Sequence, residues 1–206
     1  MRRLRAFTLI ELLVVITIIV VLASIVFPVA LSMASRAKVT ACQANLRQLA
    51  QGLTIYYGDV GKGRFYPKHD GAKFAAALFR SGVVNESKVF ICPATDDDNK
   101  EGELLKGKEG DDVPAGTISY GGRRNSATSP CNILAAERRK VPASRIAVFC
   151  DRIWEDKDGP MTNHGDRVVV AYLDSHAESL LVAQDLDGNL RMGEGGHEKL
   201  AELQSE

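Results

Sequence analysis

The chain has 206 residues and a mass of 22.4 kDa, with 26 Lys+Arg balancing 26 Asp+Glu, 45% hydrophobic residues and 25% charged ones. That size holds one compact domain, or a small domain with an appendage, and no large multidomain machine. The composition excludes an intrinsically disordered chain, a collagen-like one and a strongly basic nucleic-acid binder. A mean hydropathy of −0.08 looks soluble, but it averages two unlike parts.

The first 36 residues carry only Arg2, Arg3, Arg5, Glu11 and Arg36, and no charge falls between Leu12 and Ser35. About 20 helical residues at roughly 1.5 Å each cross a hydrocarbon core of about 30 Å, so this run predicts a spanning helix. The arginines ahead of it put the N-terminus in the cytoplasm and the rest of the chain outside. Two other readings fit part of the pattern. A cleaved secretory signal would use Ser32-Met33-Ala34, but its apolar core runs only about 7–15 residues. A plain single-pass anchor leaves Glu11 unexplained. A carboxylate in a spanning helix costs about 2.5–3.5 kcal/mol or more near the bilayer centre, so Glu11 calls for a cation. The nearby arginines are candidates, and so is the α-amino group that a cut after Ala6 would create at Phe7.

Arg5-Ala6-Phe7-Thr8-Leu9-Ile10-Glu11, followed by Leu12-Leu13-Val14-Val15, resembles the cleavage and methylation site of type IV prepilins and type II secretion pseudopilins. Ala6 stands where that family usually has glycine. The resemblance implies that a membrane-embedded aspartyl prepilin peptidase cuts between Ala6 and Phe7 and methylates the new amine. It implies partners of three kinds: the peptidase, an inner-membrane assembly platform, and copies of this chain with other pilin-like subunits. In the resulting filament Glu11 would neutralise the Phe7 amine of a neighbour. The implied protein is structural, not an enzyme, and has no nucleic-acid partner. It sits in the inner membrane with its head outside the cytoplasm, before entering a periplasmic or surface filament. Losing Arg2, Arg3 and Arg5 takes the basic count from 26 to 23 against 26 acids. Pro28 cannot donate its backbone hydrogen bond and predicts a kink or local melting, which the resemblance links to assembly.

The predicted organisation is a leader over 1–6, a filament-core helix over 7–35, an amphipathic extension over 36–58 and an exported α+β head over 59–206. In the extension, Val39, Cys42, Leu46, Leu49, Leu53 and Tyr56 recur at spacings of three and four, with Lys38, Gln43, Arg47 and Gln51 opposite. The stripe predicts packing against the head, or else a short coiled-coil seam, and Gly58 and Gly61 supply its stop. Cys42 to Leu49, Tyr56-Tyr57 and Tyr66-Pro67 also resemble the helix end and following loop of secretion pseudopilins.

Asp70 offers an N-cap to a helix over 72–80, with Gly82 after it. Residues 88–93 read as a short strand or extended piece. The segment 95–116 holds eight acids and four glycines and predicts an exposed, mobile loop. Strand-like runs follow at 117–122, 145–151, 167–173 and 177–182, with a short helical or extended piece at 133–139 and a small helix at 197–204. Asp174-Ser175 makes the last hairpin turn. The fold class is α+β: a long helix packed on a small antiparallel sheet.

Cys42, Cys92, Cys131 and Cys150 fall in the exported part, where disulfides form. Cys92 to Cys131 is the preferred pair, while Cys42 and Cys150, on apolar elements, also fit buried thiols. Without a CxxC spacing, a zinc ribbon is disfavoured and no metal is expected. His164 and Asp174, with nine residues between them, resemble the H-x9-D-G element of one group of prepilin-like proteins, with Ser175 in place of the glycine. They read as a hydrogen-bonded pair fixing the hairpin. The competing reading is a membrane-tethered exported enzyme or metal-binding protein that uses Cys150 as nucleophile with His164, Asp174 and His176. Asp185 and Asp187 before Gly188-Asn189 read as a solvated turn, with calcium as the alternative, although the EF-hand spacing is missing. No other cofactor is expected.

Overall fold

The computed structural model describes residues 9–122, 133–151, 153–156, 159–165, 167–184 and 190–192. The chain divides into two compact units, Met1–Ala37 and Lys38–Glu206. The expected leader and the terminal helix over 197–204 lie outside the described residues.

In the first unit, the helix α1 (Leu9–Ile55) begins with Glu11 in its first turn. Its opening stretch is long and apolar enough to cross a membrane, with a window of mean hydropathy 3.1 of which none is buried within the chain. Leu12 to Val26 present their large side chains outward. Thr17 Oγ1 donates to Leu13 O at 2.7 Å and Ser24 Oγ to Val21 O at 2.7 Å. These hydroxyls bond to the helix itself and need no water, as a lipid environment requires. α1 runs unbroken through Pro28. A proline removes a single ladder bond, and the apolar turns on either side keep helical geometry.

The second unit holds the rest of α1, and here the sequence stripe becomes a buried face. Cys42, Leu46, Leu49, Leu53 and Tyr56 have no exposed surface, while Lys38, Arg47 and Gln51 face out. A π-type turn over Tyr56–Val60 ends the helix, and Gly61 N–H donates to Tyr56 O at 2.8 Å. Two further helices, α2 (Gly71–Arg80) and α3 (Ile133–Arg138), follow. Asp70 occupies the N-cap position of α2, but its side chain does not cap the helix.

The strands are β1 (Tyr120–Gly122), β2 (Ala147–Asp151), β3 (Ile153–Asp156), β4 (Gly159–Thr162), β5 (Arg167–Tyr172), β6 (Ala177–Gln184) and β7 (Leu190–Met192). They form an antiparallel sheet in the order β1-β2-β5-β6-β7, beside a separate β3-β4 hairpin. The α+β class is as expected. β2 from Ala147 to Cys150 and β5 from Val168 to Tyr172 are apolar and buried because both faces are covered. Phe149, Val169 and Ala171 join the core with α1 and α2, while Ala147, Cys150, Val168, Val170 and Tyr172 form a second cluster.

Two local expectations are corrected, and a third, the turn at Asp174-Ser175, is met. Residues 87–90 form a 3₁₀ turn instead of a strand, with the Glu86 carboxylate accepting from Lys88 N–H at 3.4 Å. The acidic segment 95–116 is largely exposed, as expected, but it is pinned to the core around Asn99 and Leu105. Asn99, 2% exposed, donates to Ser87 O at 2.7 Å and accepts from Gly102 N–H at 3.1 Å, and Leu105 is fully buried. The Arg80 guanidinium also donates to Leu105 O and Asp111 O. Finally, the β5-β6 hairpin turns through Leu173, Asp174 and Ser175, closed by Ser175 N–H to Tyr172 O at 2.9 Å and Tyr172 N–H to His176 O at 3.0 Å. Ser175 alone of the three has a positive φ, 68°. A two-residue type I′ turn would need two such residues.

Candidate functional site

Four parts of the head bring chemical side chains together. Cys42 comes from the buried stripe of α1, and Cys92 from the turn after the 3₁₀ segment. Asp151 ends β2, and His164 sits in the turn between β4 and β5. Their ligand atoms all lie within 4.8 Å of one another. Cys42 Sγ donates to Asp151 Oδ1 at 2.9 Å, Cys92 Sγ meets His164 Nε2 at 3.3 Å, and His164 Nε2 lies 3.5 Å from Asp151 Oδ2. Cys42 and Cys92 have no exposed surface, and the side chains of His164 and Asp151 are 2% and 0% exposed.

A second set of groups surrounds these four. Asp151 Oδ2 accepts from Val169 N–H at 3.0 Å and Oδ1 from Asn163 Nδ2 at 3.4 Å. Ala94 N–H points at Cys92 Sγ at 3.5 Å, and Cys92 N–H donates to Ser119 Oγ at 2.9 Å. Asp151 and Cys92 are thus held by groups outside the cluster.

The electrostatics follow from burial and proximity. Burial pushes the Cys42 thiol far above its ordinary range, and the bond to Cys92 and the charge of Asp151 push it further. The hydrogen bond from Cys42 lowers the Cys92 thiol to about 5 against the opposing effect of burial, with help from His164 and Ala94 N–H. Burial raises the Asp151 carboxyl to about 6, although the Cys42 bond works the other way. For His164, burial alone would favour the neutral ring, but the bond to Cys92 and the charge of Asp151 outweigh it and raise its pKa. The Cys42 thiol is thus pushed toward its protonated form, Cys92 toward the thiolate and His164 toward the imidazolium, beside a buried carboxyl.

The site residues expected from sequence fall out as follows. Ala6 and Phe7, where cleavage and methylation would occur, and the calcium candidates Asp185 and Asp187 lie outside the described residues, as does Cys131. Glu11 lies on the exposed start of α1, and Pro28 lies within that helix. The expected His164–Asp174 pair is not formed. His164 joins Asp151 and Cys92, while Asp174 Oδ1 meets His176 Nδ1 at 2.5 Å. The reason is topological: the two residues lie beyond opposite ends of β5, and a six-residue strand is about 20 Å long. Cys92 is a free buried thiol, not the looped half of the preferred disulfide with Cys131, and Cys42 and Cys150 are free as well. Cys150 packs in the second apolar cluster with its thiol pushed up by burial, away from the nucleophile role of the enzyme reading. Asp151 was missed, although an acid closing the apolar run Ala147-Val148-Phe149-Cys150 is the kind of buried charge that needs a partner.

With the exposed apolar start of α1 and the α+β head described, the N-terminus gives the class of protein. Residues 1–27 match the prokaryotic N-terminal methylation motif. The match supports a type IV prepilin- or pseudopilin-like protein, a substrate for prepilin peptidase with a membrane-anchoring apolar helix. The chain matches no curated protein and no solved structure.

Proposed function

We propose that this chain is a structural subunit of a type IV pilus-like or type II secretion pseudopilus filament. The observation that carries this reading is the methylation motif over residues 1–27, leading into a helix whose apolar side chains face outward and which continues into a folded head. After cleavage between Ala6 and Phe7 the methylated Phe7 amine becomes the N-terminus. The subunit waits in the inner membrane with its head outside the cytoplasm. On assembly, the exposed apolar turns of α1 pack against those of other copies, where Glu11 neutralises a neighbour's Phe7 amine. That pairing sets the axial step, because an unpaired carboxylate in a low-dielectric filament core is costly.

Mass spectrometry of the mature N-terminus tests the processing step. A methylated phenylalanine at residue 7 is expected, and an intact Met1 or a start near Ser35 would overturn the reading. Glu11→Leu tests assembly: membrane insertion and head folding persist while filaments are lost. Normal filaments or secretion in that variant would sink the proposal.

A further inference from the structure

We infer that Cys42, Cys92, Asp151 and His164 form a structural zinc site that fastens the amphipathic half of α1 to the sheet of the head. The donor set is two sulfurs, one imidazole nitrogen and one carboxylate oxygen, the mixture that zinc accepts. Calcium and magnesium take oxygen ligands and are poorly served by two thiols. Size agrees as well. Zn–N bonds of about 2.0 Å and Zn–S bonds of about 2.3 Å give a tetrahedron with edges of roughly 3.3–3.8 Å. Cys92 Sγ to His164 Nε2 is 3.3 Å, His164 Nε2 to Asp151 Oδ2 is 3.5 Å, and no ligand-atom pair exceeds 4.8 Å. A small outward relaxation of Cys42 completes the cage.

Charge gives an independent reason. Asp151 is a carboxylate with no exposed surface, and the one cation within salt-bridge range of it among the described residues is His164, itself enclosed. Buried charges of this kind are retained when a partner compensates them, and a divalent ion does so for the carboxylate and the thiolates together. The surrounding bonds suit the role. Val169 N–H and Asn163 orient Asp151, and Ala94 N–H faces the Cys92 sulfur, as outer groups do around metal ligands. Four enclosed protein ligands leave no open position for water or substrate, so the site is structural and not hydrolytic. Binding releases the Cys42 thiol proton and any proton held on the Asp151 carboxyl or on His164 Nε2, because zinc takes thiolate, carboxylate and neutral imidazole.

The proposal is independent of the filament reading, and its test uses the full chain. The protein is purified in detergent without reductant or chelator, and zinc is measured by elemental mass spectrometry. About one zinc per chain is expected. Cys92→Ser and His164→Ala lose it, and Cys150→Ala, in the separate apolar cluster, keeps it. Because a ligand variant could misfold, the metal-stripped, reduced wild-type chain is also titrated with cobalt. Thiolate-to-cobalt charge transfer with intense tetrahedral d–d bands is expected, and metal removal lowers the thermal midpoint by roughly 10 °C. Three results would overturn the inference: zinc-free protein from zinc-replete cells, a folded apo chain without the cobalt spectrum, or a non-reduced mass lighter by the two hydrogens of a Cys42–Cys92 disulfide.

Discussion

Ser175 has a φ of 68° in the β5-β6 loop, a conformation that costs a residue bearing a Cβ about 1–2 kcal/mol. Glycine has no such cost, and the flexibility it adds to the unfolded chain takes back only part of the gain. Ser175→Gly is therefore expected to stabilise the head by about 1 kcal/mol, read as a higher denaturant midpoint at unchanged m-value. Gly122 shows the opposite case. A Cβ there would lie 2.4 Å from Phe74 Cδ1, and Phe74, on the inner face of α2, is fully buried, so neither side can yield easily. Gly122→Ala should cost about 1–3 kcal/mol in the same measurement. His164 shows how far single residues mislead. Its sequence spacing to Asp174 spans one turn, one strand and the next turn, so the regular interval marks the ends of β5 and not a contact.

At the level of elements, Asn99 anchors the acidic segment with both ends of its amide. Asn99→Ala leaves the buried Ser87 O without that donor, while Gly102 N–H keeps the Asn99 carbonyl, at a cost of about 1–3 kcal/mol. Limited proteolysis should then cut within 95–116 sooner than in the wild type, while cutting elsewhere in the head is unchanged. Elements with a strong one-dimensional period could be read in advance: the stripe on α1, and the apolar runs of β2, β5 and β6. The 3₁₀ turn at 87–90 and the pinned loop could not, because they depend on hydrogen bonds to residues elsewhere in the head. Composition over 95–116 counts eight acids but cannot say that Asn99 and Leu105 turn inward.

At the scale of the whole molecule, the zero net charge conceals two opposite parts. Residues 1–36 hold four basic side chains and one acid, a net of +3, while residues 37–206 hold 22 basic and 25 acidic, a net of −3. Replacing Arg2, Arg3 and Arg5 with Glu removes the bias that keeps the N-terminus inside. The expected result is a loss of exported head, measured as protection from protease added outside spheroplasts. The anchoring part was legible because its signal is local: basic residues, a short motif and an apolar run follow one another. The thiol–carboxylate–imidazole cluster was not. Its members stand 50, 59 and 13 positions apart in order, and only the packing of α1 on the sheet makes them neighbours.

The sheet begins at β1, an outermost strand only three residues long and buried throughout. Phe74 of α2 lies over its Gly122, so the margin is roofed as well as short. In a filament, many identical heads are held side by side at very high local concentration. A long bare strand there would offer its free N–H and C=O groups to the next head and join the sheets into an irreversible aggregate. Among the described residues, so short a strand offers little of that ladder on its own side of the sheet.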